Sequence, residues 1–325
     1  MTKQFDVPIL LTVYRRVDTT EKTLNAIRQV RPKQLFVIAD GARNAEEKIK
    51  CDAARAVVDQ VDWECEVKKN FSEMNMNCGP RIASGLEWAF GQVDRAIILE
   101  DDCLPEESFF YYCRELLEKY KDNPKIMQIA GLNTQQGNKK FQCADSYYFS
   151  QVAQTWGWAT WRRAFDSYEF FLDSWPEMKR NKKLDKILAN YAVREYWSNL
   201  FDNIHDNKKG RDGTWDVQWF YNVLIHDGVS IAPKRNLITN IGFGEGAGST
   251  VNVLDQNANM PRYPMEFPLQ HPREIKFNNP QADNYTFWYI YDINKGARKK
   301  VKSFLRHSLP GPYRWLKKIF KKNTL

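Results

Sequence analysis

The chain of 325 residues contains no CxxC pair, and its six cysteines (Cys51, Cys65, Cys78, Cys103, Cys113 and Cys143) have no histidines clustered beside them. That spacing disfavours a zinc site and a disulfide framework, and predicts a reducing, cytosolic compartment. Long apolar runs are also missing. The one near the start, Val7 to Tyr14, is too short to span a bilayer and is not followed by a small-residue cleavage site, so export or anchoring through the N-terminus is not expected. There is no internal repeat and no low-complexity tract. What is present is 43% hydrophobic, 14% aromatic and 27% charged residues, the composition of a soluble globular chain.

The net charge of +8 hints at a nucleic-acid or membrane partner until it is divided along the chain. Eleven cations and no acid lie between Lys295 and Leu325, which leaves residues 1–294 at −3. The body is mildly acidic, and the basic character belongs to a tail.

Short apolar runs alternate with helical patterns over residues 1–135, which predicts βαβ units and a mainly parallel sheet. Strands are expected at Val7–Val13, Leu35–Ala39, near Cys65–Lys69 and at Ala96–Leu99. A helix capped by Asp18-Thr19-Thr20 should end at Arg31-Pro32, and another should run from about Pro80 to Phe90. Residues 136–260 are aromatic-rich and less regular, with a polar helical stretch around 182–205. Residues 261–294 carry Pro261, Pro264, Pro268, Pro272 and Pro280 and read as an extended segment wrapping the body.

Ligands of open α/β sheets bind beyond the carboxyl ends of the strands, so Arg15/Arg16, Asp40-Gly41 and Glu100-Asp101-Asp102 should border one crevice. Three successive carboxylates after a buried strand are costly unless a cation compensates them, and hard oxygen ligands suit Mg²⁺ or Mn²⁺. An acidic turn leading into the next helix is the alternative reading. Arg81, near a helix start, is either a phosphate contact or a solvated arginine. Asp216, after Trp215, is either a catalytic carboxylate or a helix N-terminal acid, and Asp212 on the preceding loop is the second candidate base. Trp156, Gly157, Trp158 and Trp215 offer a sugar platform, with core packing as the other possibility.

The Ile97-Ile98-Leu99-Glu100-Asp101-Asp102 strand and acid triplet, followed by Cys103-Leu104-Pro105 and an aromatic helix, resembles the DxD-type motif of GT-A glycosyltransferases. The likeness, over roughly residues 7–250, is to the N-acetylglucosaminyltransferase I-like group and its bacterial relatives. The resemblance implies a single Rossmann-like GT-A domain in which residues 1–135 bind the nucleotide sugar and residues 136–260 the acceptor. It implies that Asp102 binds Mn²⁺ or Mg²⁺ bridging a donor diphosphate, and that Glu100 and Asp101 contact ribose, sugar or neighbouring groups. It further implies that Thr12, Tyr14, Arg16 and Asp40 border a UDP-sugar, that the Gly-Trp segment lies beside donor sugar and acceptor, and that Asp216 is the base of an inverting transfer. One departure stands out: Gly246-Ala247-Gly248-Ser249-Thr250 holds no histidine where the family often has a metal ligand.

Residues 295–325 place Val301, Phe304, Leu305 and Leu309, then Tyr313, Leu316, Ile319 and Phe320, at amphipathic spacing among the cations. This pattern favours an anionic membrane surface over nucleic acid or a disordered tail. The combined expectation is a peripheral enzyme on the cytoplasmic face of a bacterial cell membrane, building a surface polysaccharide from a glycan or lipid-linked acceptor. Two other readings stay open. One is a sugar-phosphate nucleotidyltransferase, disfavoured because no Gly-rich phosphate loop follows the first strand. The other is a non-catalytic module that binds nucleotide sugar or membrane.

Overall fold

Ile9–Val13 (β1) is buried at every position, as a strand covered on both faces must be. It pairs in parallel with Gln34–Ala39 (β2) and Arg95–Glu100 (β4), and β2 pairs in parallel with Glu66–Phe71 (β3). The computed structural model describes residues 4–207, 211–244, 257–291 and 293; the basic tail and the Gly246–Thr250 loop lie outside the described residues. Further strands are Cys103–Pro105 (β5), Ile126–Ala130 (β6), Tyr147–Ser150 (β7), Trp158–Trp161 (β8), Val229–Pro233 (β9) and Ile238–Asn240 (β10). The main sheet has the order β3-β2-β1-β4-β8-β6-β9-β7. β8 is antiparallel to both β4 and β6, and β7 is antiparallel to β9, so six of the eight strands run the same way. This is a mixed α/β fold of Rossmann-like type, as expected, with strands from both sides of residue 135 sharing one sheet.

Side chains alternate across β1 and sort into two cores. Ile9, Leu11 and Val13 pack with Leu24 and Ile27 of helix α1 (Val17–Val30), beyond which lies α2 (Ala45–Ala56). Leu10 packs on the other face with Ile82 and Leu86 of α3 (Cys78–Phe90). Helix α4 (Glu107–Lys119) joins the first core through Phe109, Phe110 and Leu116. After the short helices α5 (Arg162–Phe165), α6 (Trp175–Arg180) and α7 (Lys183–Ile187), helices α8 (Tyr191–His205) and α9 (Asp216–Ile225) complete the second with Trp197, Phe201, Trp219 and Phe220.

Two local expectations change. Helix α1 begins at Val17 with Arg16 as its uncapped N-terminal neighbour, so Asp18, Thr19 and Thr20 lie inside the first turn; Thr20 Oγ1 donates back to Arg16 O at 2.5 Å. The stretch 182–205 is two helices, because the Asn190 side chain accepts from Ala192 N and Val193 N and starts a new helix there. Arg31 does end α1, in the left-handed region at φ 48°.

Past Met260 the chain is pinned to the body by Met265 N to Ser108 Oγ and Gln270 N to Ser146 Oγ, both 2.8 Å. It then forms α10 (Pro280–Tyr289), capped by Asn279. On that helix Asp283 is 4% exposed and accepts from Ser150 Oγ at 2.6 Å and from Asn279 N at 2.9 Å. Burial nevertheless pushes its pKa up to about 6. The folded state therefore holds this proton more tightly than the unfolded chain does. The stability it contributes is present at low pH and is lost as pH rises from about 4 through about 6. Asp283→Asn, neutral at every pH, should flatten the fall in Tm between about pH 4 and pH 7. An unchanged slope in thermal melts would count against a buried acid at this place.

Candidate active site

The parallel register sets Thr12 opposite Glu100 and Val13 opposite Ala39. The residues that follow these strands, Tyr14, Asp40 and Asp101, consequently emerge together at the carboxyl edge of the sheet. Main-chain contacts hold that edge: Tyr14 N donates to Asp101 Oδ2 at 3.2 Å, and Thr23 Oγ1 donates to Asp101 O at 3.0 Å.

Arg16 answers the electrostatic question raised by the acid triplet. Its Nη2 reaches Asp101 Oδ1 at 2.6 Å and Asp102 Oδ2 at 2.7 Å, and Nη1 donates to Gly242 O at 3.3 Å. Burial is the largest influence on Asp101 and pushes it up to about 6, although Arg16 pulls the other way. Glu100 makes no contact with that guanidinium, which lowers it only from a distance. Burial first, then the charges of Asp102, Asp216 and Asp101, hold it well above the usual carboxylate range.

Asp216, at the first position of α9, is exposed to solvent and near enough to Glu100 for its charge to raise that carboxyl. Walled by protein, the Asp216 carboxylate loses hydration and its pKa rises, while the N–H groups of Asp216, Val217 and Trp215 moderate the rise. Cys78, at the start of α3, feels Glu100, Asp216, Asp40 and Asp102 together, and these charges, after burial, keep its thiol protonated. Four elements thus surround one concavity.

Asp40 is 7% exposed and largely satisfied: Oδ1 accepts from Gly41 N and Met76 N, both at 2.9 Å, and Oδ2 accepts from Asn75 Nδ2 at 3.0 Å. It anchors the loop that brings α3 to the cleft. Tyr14 Oη donates to Glu47 Oε2 at 2.7 Å, and Arg15 pairs with Glu47 at 2.5 Å.

Three expectations for individual side chains are corrected. Arg81 does not face a phosphate; it is 4% exposed, and its guanidinium donates to Ala39 O at 3.1 Å, Asn70 O at 2.6 Å and Asn70 Oδ1 at 2.8 Å. Helix α3 begins at Cys78, so Arg81 sits a turn inside and ties the ends of β2 and β3 together. Trp158 and Trp215 are not platforms. They are stacked on each other at 5.7 Å between ring centroids, at 0% and 3% exposure, and Trp219 packs against Trp158 at 5.0 Å. Trp156 is half-buried and meets Phe243 edge-on at 5.9 Å. Gly157 has φ +61°, and a Cβ there would lie 2.4 Å from Ile238 Cδ1, so glycine lets β10 close over the turn. Asp212 is exposed on the Arg211–Gly213 turn.

Sequence reading misses Gly242. A Cβ at this position would fall 2.0 Å from Asp102 Oδ2 and 2.6 Å from Arg16 Nη1. The ribbon of β5 and β10 sets Asn240 opposite Cys103, and Ile241 N donates to Asp102 O at 2.9 Å, which lays this strand end across the acids. Glu47 and Asn75 are missed as well, since nothing local in sequence marks them as partners of Tyr14.

Among the described residues no group of three His, Cys, Asp or Glu side chains is arranged to hold a metal alone. Glu100 and Asp102 supply hard carboxylate oxygens at one strand end, and Glu100 makes no side-chain hydrogen bond among the described residues. That donor set fits a Mg²⁺- or Mn²⁺-type ion completed by substrate phosphates and water.

No family model matches the chain, and no curated protein matches it in sequence. Among solved structures it is similar to an apo UDP-glucose pyrophosphorylase, at 8% identity and a TM-score of 0.39, covering 72% of this chain and 93% of that one. It is similar to a galactosyltransferase in complex with donor and acceptor sugar analogues, at 10% identity and a TM-score of 0.34, covering 67% and 70%. It is also similar to mouse xyloside xylosyltransferase 1 in its apo form, at 10% identity and a TM-score of 0.32, covering 67% and 81%.

Proposed function

We propose that the chain is an inverting glycosyltransferase that moves a sugar from a nucleotide-diphosphate sugar, with UDP as the nucleotide, to a glycan or lipid-linked acceptor. The supporting observation is the meeting of the ends of β1, β2 and β4 with the first residue of α9, so that Tyr14, Asp40, Glu100–Asp102 and Asp216 ring one concavity. The edge of the sheet at Thr12 and Tyr14 borders the nucleotide, and Asp40 fixes the loop beside it. Asp216 takes the acceptor hydroxyl proton while that oxygen attacks the anomeric carbon; its raised pKa brings a carboxylate closer to the pH at which a base is effective.

A divalent ion, held by Asp102 with Glu100 beside it, would offset charge on the departing diphosphate. Arg16 keeps Asp101 and Asp102 fixed in the absence of donor. Asp102→Asn should weaken binding of UDP-sugar in the presence of Mn²⁺ by at least about tenfold, a loss of roughly 1.4 kcal/mol. Titration calorimetry with a panel of UDP-, GDP- and dTDP-sugars measures this. If the unaltered protein binds none of them and hydrolyses none with Mn²⁺ present, the proposal fails.

A further inference from the structure

A groove of about 780 Å³ runs along α3, with Met76 and Asp212 among its lining residues. The Met76 N–H is the one that holds Asp40 at the edge of the cleft. From Pro80 to Gly91 it follows eleven residues of helix, about 16 Å at 1.5 Å per residue, which is longer than a single pyranose needs.

One hydrogen bond ties the groove wall to the head of α9, and burial, followed by the nearby Asp216 charge, raises the Tyr168 hydroxyl. Tyr168 lines the groove and donates its hydroxyl to Trp215 O at 3.0 Å, and Trp215 precedes Asp216 at the head of α9. Along the walls, ring faces and carboxylates are interleaved. Phe171 is 51% exposed with Phe170 edge-on at 5.3 Å, and Glu87 and Asp166 are exposed and form no ion pair among the described residues. Arg162, the cation among the described lining residues, is already paired with Asp94 at 3.2 Å.

That lining selects its occupant. Apolar C–H faces of sugars stack on aromatic rings, and their hydroxyls donate to carboxylates. An anionic chain would meet Glu87 and Asp166, which form no ion pair among the described residues, and that meeting is repulsive. We propose that this groove binds a neutral oligosaccharide acceptor, its terminal hydroxyl delivered to Asp216 and its preceding sugars laid along α3. The assignment rests on the glycosyltransferase reading and names the acceptor class of that site. In the step it serves, the hydroxyl proton passes to the Asp216 carboxylate and a bond forms between the hydroxyl oxygen and the anomeric carbon. The bond from that carbon to the diphosphate breaks, and the nucleoside diphosphate departs with the electron pair.

Saturation-transfer NMR on the full chain tests the groove directly. Neutral gluco-, galacto- and N-acetylglucosamine oligosaccharides are compared with uronic-acid oligosaccharides of equal length. Binding of a neutral probe that drops about tenfold in Phe171→Ala and in the pair Glu87→Gln with Asp166→Asn, with UDP-sugar affinity retained, is the expected result. In a transfer assay the same variants should raise acceptor KM about tenfold and leave kcat within about twofold. The groove is overturned if no neutral probe binds, if uronic-acid probes bind as well as neutral ones, or if neither variant changes binding. UDP-sugar binding by the unaltered chain separates these outcomes from failure of the glycosyltransferase reading, because donor recognition does not involve the groove.

Discussion

Asp216→Asn is expected to bind UDP-sugar as the unaltered chain does and to transfer it about a thousandfold more slowly, the middle to upper part of the range for losing a general base. The expectation follows from position. Asp216 opens α9, is reachable from solvent, and is held up in pKa by lost hydration against the pull of three backbone N–H groups. Asparagine keeps the shape and the helix-end hydrogen bonds but accepts no proton. The rate of the unaltered chain should rise with pH as Asp216 deprotonates and then level, and in the variant that limb should be gone. Steady-state kinetics across pH, with donor affinity measured separately, decides the matter. Wild-type turnover in Asp216→Asn would remove it as the base and move attention to Asp212 on the exposed turn.

The largest loss of stability from one substitution at the cleft is expected for Arg16→Ala. One nitrogen, Nη2, serves both Asp101 and Asp102, whose side chains are 5% and 13% exposed, with Glu100 beside them. Removing a partner from such a pair leaves buried charge uncompensated, at a cost of about 3–5 kcal/mol. The sign with pH is fixed by the same reasoning. Without the guanidinium, which now draws Asp101 downward, the folded-state pKa of that carboxylate climbs further above its unfolded value. The damage should therefore be smallest in acid, where the acids are protonated, and grow as pH rises through about 6. Urea unfolding at about pH 5 and about pH 7.5 measures it. Equal losses at both would mean that Arg16 acts through packing. Asp102→Asn combined with Arg16→Ala should recover part of the loss, since one of the stranded charges is gone.

Much of the cleft is readable from sequence because buried parallel strands are written as apolar runs, and β1 and β2 are followed by polar residues, as β4 ends in one, that must surface at the same edge. The acid triplet follows from that logic. What sequence does not reveal depends on pairing between distant segments. β5 and β10 are more than a hundred residues apart, so nothing local marks Gly242 as the residue that must lack a side chain above Asp102. Arg81 misleads for a related reason: its carbonyl partners come from the ends of β2 and β3, which only the folded sheet brings under α3. Helices α7 and α8 read as one stretch in the sequence because no proline or glycine separates them and the break rests on a single asparagine.

Strand β8 works as a depth gauge. It enters the middle of the sheet against the prevailing direction, with Trp158 level with Ile98 and Trp161 level with Arg95. Trp156 precedes the strand, across the turn at Gly157, and meets Phe243 near the cleft rim. Each step from Trp158 toward Trp161 carries the chain about 3.4 Å further from the chemistry, so these two tryptophans lie about 10 Å apart. Three tryptophans that look equivalent in the sequence are a graded series from rim to far edge. Of the three, Trp156 alone stays half-buried at the rim, and the positions after it hold the sheet together.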